Sequence, residues 1–291
     1  MGKLGSHLHA RQFSALEEML SEAGVEILES HFVERGRELT RQLRRCIRRG
    51  KISCIAVAGG DGSMTRAAAE LAHQPITLGV LPTGTGNSFA RGLGIESLET
   101  AVKTIAHGPR SRIDLGIVNG SYFANFATIG LVSEIAAATP EPLKAVSGIA
   151  AYVFAGIVAG LRSRAFTIEI RGPGVSFDGK VHQVVVVCGR CFGVQPIAAD
   201  ASVTSGKLVV FTTTANTAAD IAKDFLAIGM GTQTDLENGH SWAVRRARIR
   251  TGSAQHVAID GQVIGKTPVT RFKIDPRALR VFVPPDRDGA S

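Results

Sequence analysis

Two short glycine-rich segments hold the residue types best suited to chemistry in this chain. One is Gly59-Gly60-Asp61-Gly62-Ser63, the other Gly84-Thr85-Gly86-Asn87-Ser88. Glycine lets a backbone approach phosphate oxygens closely, and amides at the start of a helix point at an anion. Each segment follows a short apolar run and precedes a helical pattern. The two lie one βαβ repeat apart, so both are expected at the carboxyl edge of one parallel sheet, where open α/β folds bind ligands. Neither fits the common nucleotide fingerprints. There is no Gly-x4-Gly-Lys-Ser/Thr, and Phe89 stands where the dinucleotide motif needs its third glycine. A lone glycine turn is as often structural as functional. A pair of them, one with a carboxylate between glycines, points to phosphate.

The elements that must position these loops are legible from periodicity. Ser53-Cys54-Ile55-Ala56-Val57-Ala58 and Ile76-Thr77-Leu78-Gly79-Val80-Leu81 are apolar runs of strand length, suited to buried parallel strands. Residues 13–20, 64–73 and 97–107 pattern as helices, and 25–29 as a short strand. This alternation gives an α/β N-terminal domain with a parallel, Rossmann-like sheet. After Pro109 the pattern changes to strands at 113–118, 122–128, 166–170, 181–187, 208–213, 242–250 and 255–259. Turn residues such as Asn119-Gly120, Gly172-Pro173-Gly174 and Asp178-Gly179 separate them, so a second, β-rich domain is expected from about residue 110.

With 291 residues, 44% of them apolar and 20% charged, the chain can bury a sizeable core. It has no internal repeat or low-complexity tract. Met1-Gly2-Lys3-Leu4-Gly5-Ser6-His7 lacks the apolar core of a signal peptide, so a cytoplasmic protein is expected, whose four cysteines need not be bridged. The net charge of +8 suits an anionic partner: nucleic acid, membrane or nucleotide. Much of the excess sits at 35–49, where a helix would place Leu39, Leu43, Cys46 and Ile47 on one face and Arg37, Arg41, Arg44, Arg45 and Arg48 on the other. That face is either solvated or a contact for anionic lipid. One Trp and two Tyr are too few for a nucleic-acid stacking platform. The apolar stretch 145–161, between Lys144 and Arg162, reads as a helix packed on the β-rich domain or as a membrane span at the short limit of length. Cys188-Gly189-Arg190-Cys191 is a structural pair or a redox switch, since zinc would need two more ligands, and the histidines form no metal-ligand pattern.

At its glycine loops the sequence resembles the diacylglycerol kinase catalytic-domain family, which includes sphingosine, ceramide and bacterial lipid kinases. The family pattern Gly-Gly-Asp-Gly-Thr is met by Gly59-Gly60-Asp61-Gly62-Ser63, and Leu-Pro-x-Gly-Thr-x-Asn-Asp-Phe-Ala-Arg by Leu81-Pro82-Thr83-Gly84-Thr85-Gly86-Asn87-Ser88-Phe89-Ala90-Arg91. Ile113-Asp114-Leu115-Gly116, Phe123-Ala124-Asn125-Phe126-Ala127-Thr128-Ile129-Gly130 and Ile259-Asp260-Gly261-Gln262 match further motifs in order, and 274–284 matches a closing strand pair. The resemblance implies an NAD kinase/diacylglycerol kinase-like fold. Residues 1–110 would form a nucleotide-binding domain to which 270–291 returns, and 111–269 a β-sandwich-like lipid-binding domain. It implies ATP as phosphoryl donor, Mg²⁺, and a lipid alcohol held in a cleft between the domains. Gly59, Gly60, Asp61, Gly62, Ser63 and Thr65 would hold ATP with Gly84, Thr85, Gly86 and Asn87. Asp61 and Asp114 would serve the metal, and Asp260 would act as general base. In some relatives the residue matching Asp61 is the base, so the two roles are exchangeable, and Asp260-Gly261 alone would read as a hairpin turn. Peripheral contact with an anionic membrane is expected and nucleic acid is not, with homodimerisation left open.

The chain also departs from the family. Its opening strand, ending in Asn-Pro-x-x-Gly, is absent here or lies upstream. Ser88 replaces an Asp, Gln262 a Glu, Cys188 an Asn, and Ser205 an Asp that binds a structural Mg²⁺ in bacterial relatives, so no structural metal is expected there. These losses keep a second reading in view, a degenerate kinase that senses lipid or nucleotide. A third, an NAD kinase-like enzyme, fits poorly, because 81–91 lacks the Gly-x-Asn-x-Gly-x-x-Gly-Phe-Leu segment.

Overall fold

The computed structural model describes residues 2–3, 10–130, 133, 165–188, 191–192, 195–196, 203–214 and 239–285. The chain divides into two compact units, Met1–Ile113 with Pro276–Ser291, and Asp114–Asp275.

The first unit runs β1 (Gly2–Lys3), α1 (Ala10–Glu22), β2 (Phe32–Val33), α2 (Gly36–Arg49), β3 (Cys54–Gly59), α3 (Asp61–Leu71), β4 (Thr77–Pro82), α4 (Ser88–Gly92) and α5 (Leu98–His107). β3 and β4 pair in parallel from Cys54↔Thr77 to Gly59↔Pro82, and β1 lies between β3 and β2, parallel to both. The family's opening strand was expected to be absent or to lie upstream, and the described residues begin with this strand of two residues. Burial along β4 is nearly continuous, as a parallel strand covered on both faces requires. Leu39 and Leu43 anchor α2 with no exposed surface, while Arg37, Arg41, Arg44, Arg45 and Arg48 face out as their spacing predicts. Arg44 is tied to Glu70 of α3 by two bonds of 2.8 Å. Ser97 caps α5 by accepting the Thr100 amide at 3.1 Å. Residues 25–29, expected as a strand, form no ladder. Leu28 is 67% exposed, and pairing begins only at Phe32.

The second unit is built from β5 (Arg110–Val118), which begins in the first, then β6 (Ser121–Phe123), β7 (Phe126–Gly130), β8 (Phe166–Gly172), β9 (Val175–Val181) and β10 (Gln183–Val187). A small separate ladder, β11 (Cys191–Phe192) with β12 (Gln195–Pro196), follows, then β13 (Leu208–Thr213), β14 (Gly239–Val244), β15 (Arg246–Ile259) and β16 (Gln262–Phe282). Antiparallel neighbours run β14-β13-β10-β7-β15-β16, with the β8–β9 hairpin on β15 and β5 beside β16. Phe123, Ile129, Ile170, Val184, Val210 and Ile249 form the centre of its core. Beyond Pro276, β16 belongs to the first unit and pairs in parallel with β4 at Val281↔Leu78.

Three expected strands are cut differently. Residues 122–128 divide at Ala124-Asn125 and 242–250 divide at Arg245, while Val181 closes β9 and the next strand starts after His182. The Asp178-Gly179 pair, read as a turn, lies inside β9, opposite Glu169 and Ile168. The apolar stretch 145–161 falls outside the described residues. Among those described, no helix is long and apolar enough to cross a membrane.

Two outcomes follow from this packing. A methyl at Gly116 would overlap the ring of Phe123, which is wholly buried. Gly116→Ala should therefore cost about 1–3 kcal/mol, read as a lower urea midpoint at unchanged slope. Burial lowers the His182 pKa below its ordinary value, so the folded chain favours the neutral ring. Its contribution is present above about pH 6.5 and fades as pH falls through the folded value. Melting between pH 7 and 5 should show an acid decline that His182→Gln reduces.

Candidate functional site

In the first unit the two glycine loops meet. β3 ends at Gly59, Gly60 caps α3 with φ −90° and ψ −173°, and Asp61 is the first helical residue. Asp61 and Gly62 thus stand in the first turn of a helix, whose leading amides have no carbonyl of a preceding turn to bond. A Cβ on Gly84 would overlap Cα of Gly60 and lie 3.0 Å from Asn87 Oδ1. Two backbones touch here with no room for a side chain. Asp61 then joins the loops, its Oδ1 accepting the Phe89 amide at 2.9 Å. A Cβ on Gly86 would come within 2.9 Å of Asp61 Oδ2, so a side chain at 86 would press on the carboxylate.

The expected ATP contacts sort by how their side chains are already used. Asn87, left-handed at φ 51°, accepts the Gly84 amide at 3.0 Å through Oδ1 and donates to the Gly84 carbonyl at 2.7 Å through Nδ2. It closes its own loop. Thr65 donates to the Asp61 carbonyl at 3.0 Å inside α3. Ser63 is 3% exposed and lies against Gly59, where an added Cβ would come within 2.6 Å of its Oγ. Thr85 and Gly86 are exposed, and Gly60, Asp61, Gly62, Gly84 and Asn87 are half-buried. The surface offered to a phosphate is therefore mainly backbone, with the Thr85 hydroxyl beside it.

In the second unit Asp260 and Gly261, with φ of 45° and 80°, form the two-residue turn of the β15–β16 hairpin, closed by Ile259↔Gln262. The carboxylate of Asp260 reaches back across the sequence. Oδ2 accepts the Ala124 amide, and Oδ1 accepts those of Asn125 and Phe126, each at 3.0 Å. The Asp260 amide in turn donates to the Phe126 carbonyl at 2.9 Å. This bonding divides β6 from β7. Asp114 is 4% exposed. Its amide donates to the Val203 carbonyl and its Oδ2 accepts the Gly206 amide, both at 2.7 Å. Ser205 works in the same turn, accepting the Lys207 amide at 3.3 Å.

The magnesium implied by the resemblance fits one of its two expected ligands. Mg²⁺ takes one or two carboxylates beside phosphate oxygens and keeps several waters. Asp61, half-buried between glycines, suits that role. Asp114, buried and holding Gly206, does not. Cys188 is 2% exposed. Burial, then the Asp114 and Asp260 carboxylates, push its thiol well up, opposite to what a redox-active cysteine needs. Reading the sequence missed the Phe89, Ala124, Asn125 and Phe126 amides as partners, because backbone donors 28 to 136 residues away leave no trace in residue type. It also missed the convergence of Glu29, His31 and Cys46 beside Arg49.

Known proteins resemble the chain along most of its length. The sequence pattern of the diacylglycerol kinase catalytic domain matches residues 3–118, and that of the YegS C-terminal NAD kinase beta sandwich-like domain matches 129–283. A "Probable lipid kinase YegS-like" of Pseudomonas fluorescens is 32% identical over 237 residues, 80% of this chain and 78% of that protein. The "Diacylglycerol kinase" of Bacillus subtilis is 31% identical over 221 residues, 74% and 72% of the two chains. Among solved structures, a diacylglycerol kinase from Bacillus anthracis superposes with a TM-score of 0.74 at 20% identity, over 98% of this chain and 96% of that one. An NAD kinase from Archaeoglobus fulgidus in complex with ATP gives 0.51 at 13%, over 99% and 95%. Both likenesses speak to the fold.

Asp260→Asn places an amide group against backbone donors in place of an acceptor. The variant should lose about 1–3 kcal/mol of stability, seen as earlier melting. A change in activity with unaltered melting would contradict the structural role of this carboxylate.

Proposed function

The chain belongs to the diacylglycerol kinase catalytic-domain family of lipid kinases, and on that premise we propose that it transfers the γ-phosphate of ATP, with Mg²⁺, to the hydroxyl of a lipid alcohol. The observation that carries this reading is the junction of two glycine loops at Gly60 and Gly84, latched by Asp61. Phosphoryl transfer asks mainly for positioning and charge neutralisation, which backbone amides and one carboxylate supply. Amides of Gly60 to Gly62 and of Gly84 to Gly86, with the Thr85 hydroxyl, would take the phosphates. Asn87 and Phe89 position the second loop. Mg²⁺, held through Asp61, would offset charge on the transferring group.

The proton of the attacking hydroxyl is assigned to Asp61, which would serve the metal through water and take the base role first expected of Asp260. Asp260 has both oxygens engaged by three backbone amides, which suits it to fixing the 124–126 backbone. Acyl glycerols, sphingoid bases and ceramides all carry a suitable hydroxyl, and peripheral contact of the protein with a membrane would bring any of them within reach.

The test uses purified protein, labelled ATP, Mg²⁺ and a panel of lipid alcohols, with ATP affinity titrated in parallel. Wild type should phosphorylate at least one lipid, and Asp61→Asn should lower turnover by about 10²–10⁴ with intact melting. Gly84→Ala should weaken ATP binding, because its methyl separates the loops. ATP binding with no turnover on any lipid would favour the sensor, and a fully stable, inactive Asp260→Asn would return the base to Asp260.

A further inference from the structure

The second unit carries a basic groove that plays no part in phosphoryl transfer as proposed. It is an open cavity of about 970 Å³ over β8, β15 and β16, with Arg171, Arg246, Arg248, Arg271 and Lys273 around it and Phe272 in its floor. Period-two spacing puts Arg246, Arg248 and Arg250 on the exposed face of β15, while Ala247 and Ile249 enter the core. Register then sets cations against cations. Arg246 lies opposite Lys273 and Arg248 opposite Arg271, and on its other flank Arg248 lies opposite Arg171. Like charges directly opposite on neighbouring strands are destabilising. Arg171 has relief from Asp178, whose two oxygens accept from Nη2 at 2.9 and 2.7 Å, and from Glu169 at 3.5 Å. Among the described residues, no carboxylate lies within 4.0 Å of Arg246, Arg248, Arg271 or Lys273.

A sheet face that holds four cations together, none with a carboxylate partner among the described residues, is complementary to an extended layer of anions. We propose that this groove docks the protein on an anionic phospholipid surface, its guanidinium groups taking headgroup phosphates. Nucleic acid is the weaker fit. A strand-binding groove needs exposed rings for stacking, whereas Phe272 is 2% exposed and the Tyr122 hydroxyl is held by Asp275 at 2.7 Å. The arginines of α2 are the other basic face, but there Arg44 and Arg49 are already paired with Glu70 and Glu29. The proposal needs no turnover, so it stands or falls apart from the kinase reading.

The experiment is co-sedimentation, without nucleotide, with phosphatidylcholine vesicles that contain or lack phosphatidylglycerol. Wild type should bind only the anionic vesicles and release them as salt rises. Each surface cation changes partitioning roughly fivefold, so a variant combining Arg246→Gln, Arg248→Gln, Arg271→Gln and Lys273→Gln should lose at least about a hundredfold. It should melt no earlier than wild type, because opposed like charges are removed, and should keep its turnover on lipid presented in detergent micelles. Should the combined variant misfold, Arg271→Gln alone is expected to show the fivefold loss. A matched α2 variant, with Arg37, Arg41, Arg45 and Arg48 changed to Gln, should retain binding within a few-fold. Undiminished binding by the groove variant, an equal loss in both variants, or a preference of wild type for an RNA oligonucleotide over anionic vesicles overturns the proposal.

Discussion

The contact between Gly60 and Gly84 is the constraint on which the rest of the first unit depends. Two chain segments from successive βα turns approach until a Cβ on Gly84 would collide with the facing backbone and one on Gly60 would crowd it. That closeness brings the Phe89 amide within reach of Asp61, 28 residues earlier, and one oxygen of the carboxylate becomes a fixed strut. The other oxygen stays beside Gly86. Asn87 then needs its left-handed backbone and both ends of its side-chain amide to shape the loop around Gly84. The first turn of a helix, where Asp61 stands, is also where the backbone dipoles favour a negative charge.

The second unit uses a carboxylate differently. Asp260 stands in a turn that a sequence of strands needs anyway, and its side chain accepts three backbone amides at the break between β6 and β7. Buried amides must find acceptors, and this one residue serves three. Asp114 does the same for the turn around Gly206. Of the three acidic residues singled out by motif, two are committed to local architecture. A motif identifies residues whose loss disrupts the family's site, whether they touch a ligand or hold the backbone that does.

How much was legible follows from what periodicity can register. β3 and β4 stood out because strands buried on both faces must be apolar throughout, and the outward arginines of α2 because a helix repeats every 3.6 residues. The start of α3 was placed too late, since Gly-Gly-Asp-Gly looks like a breaker until Gly60 is seen to cap and Asp61 to begin the helix. β9 was hidden by Asp178-Gly179, a turn pair by composition but mid-strand by register, where Asp178 is held by Arg171. The division of 122–128 depends on a partner more than 130 residues away, which no local pattern encodes. The cationic row across β8, β15 and β16 was written in plain alternation, yet its meaning depends on register that only the fold supplies.

The long strand β16 has a consequence for how the protein is made. Its closing stretch pairs with β4 at Val281↔Leu78, so a sheet begun early in synthesis is completed by residues translated after the entire second unit. At about 5–20 residues per second, the edge of β4 waits on the order of ten to forty seconds for its partner. An unpaired, apolar strand edge is a template for the wrong neighbour, including the same edge on another nascent chain. On crowded polysomes that edge meets its own copies on neighbouring nascent chains, and the pace of elongation across the second unit sets how long it stays open.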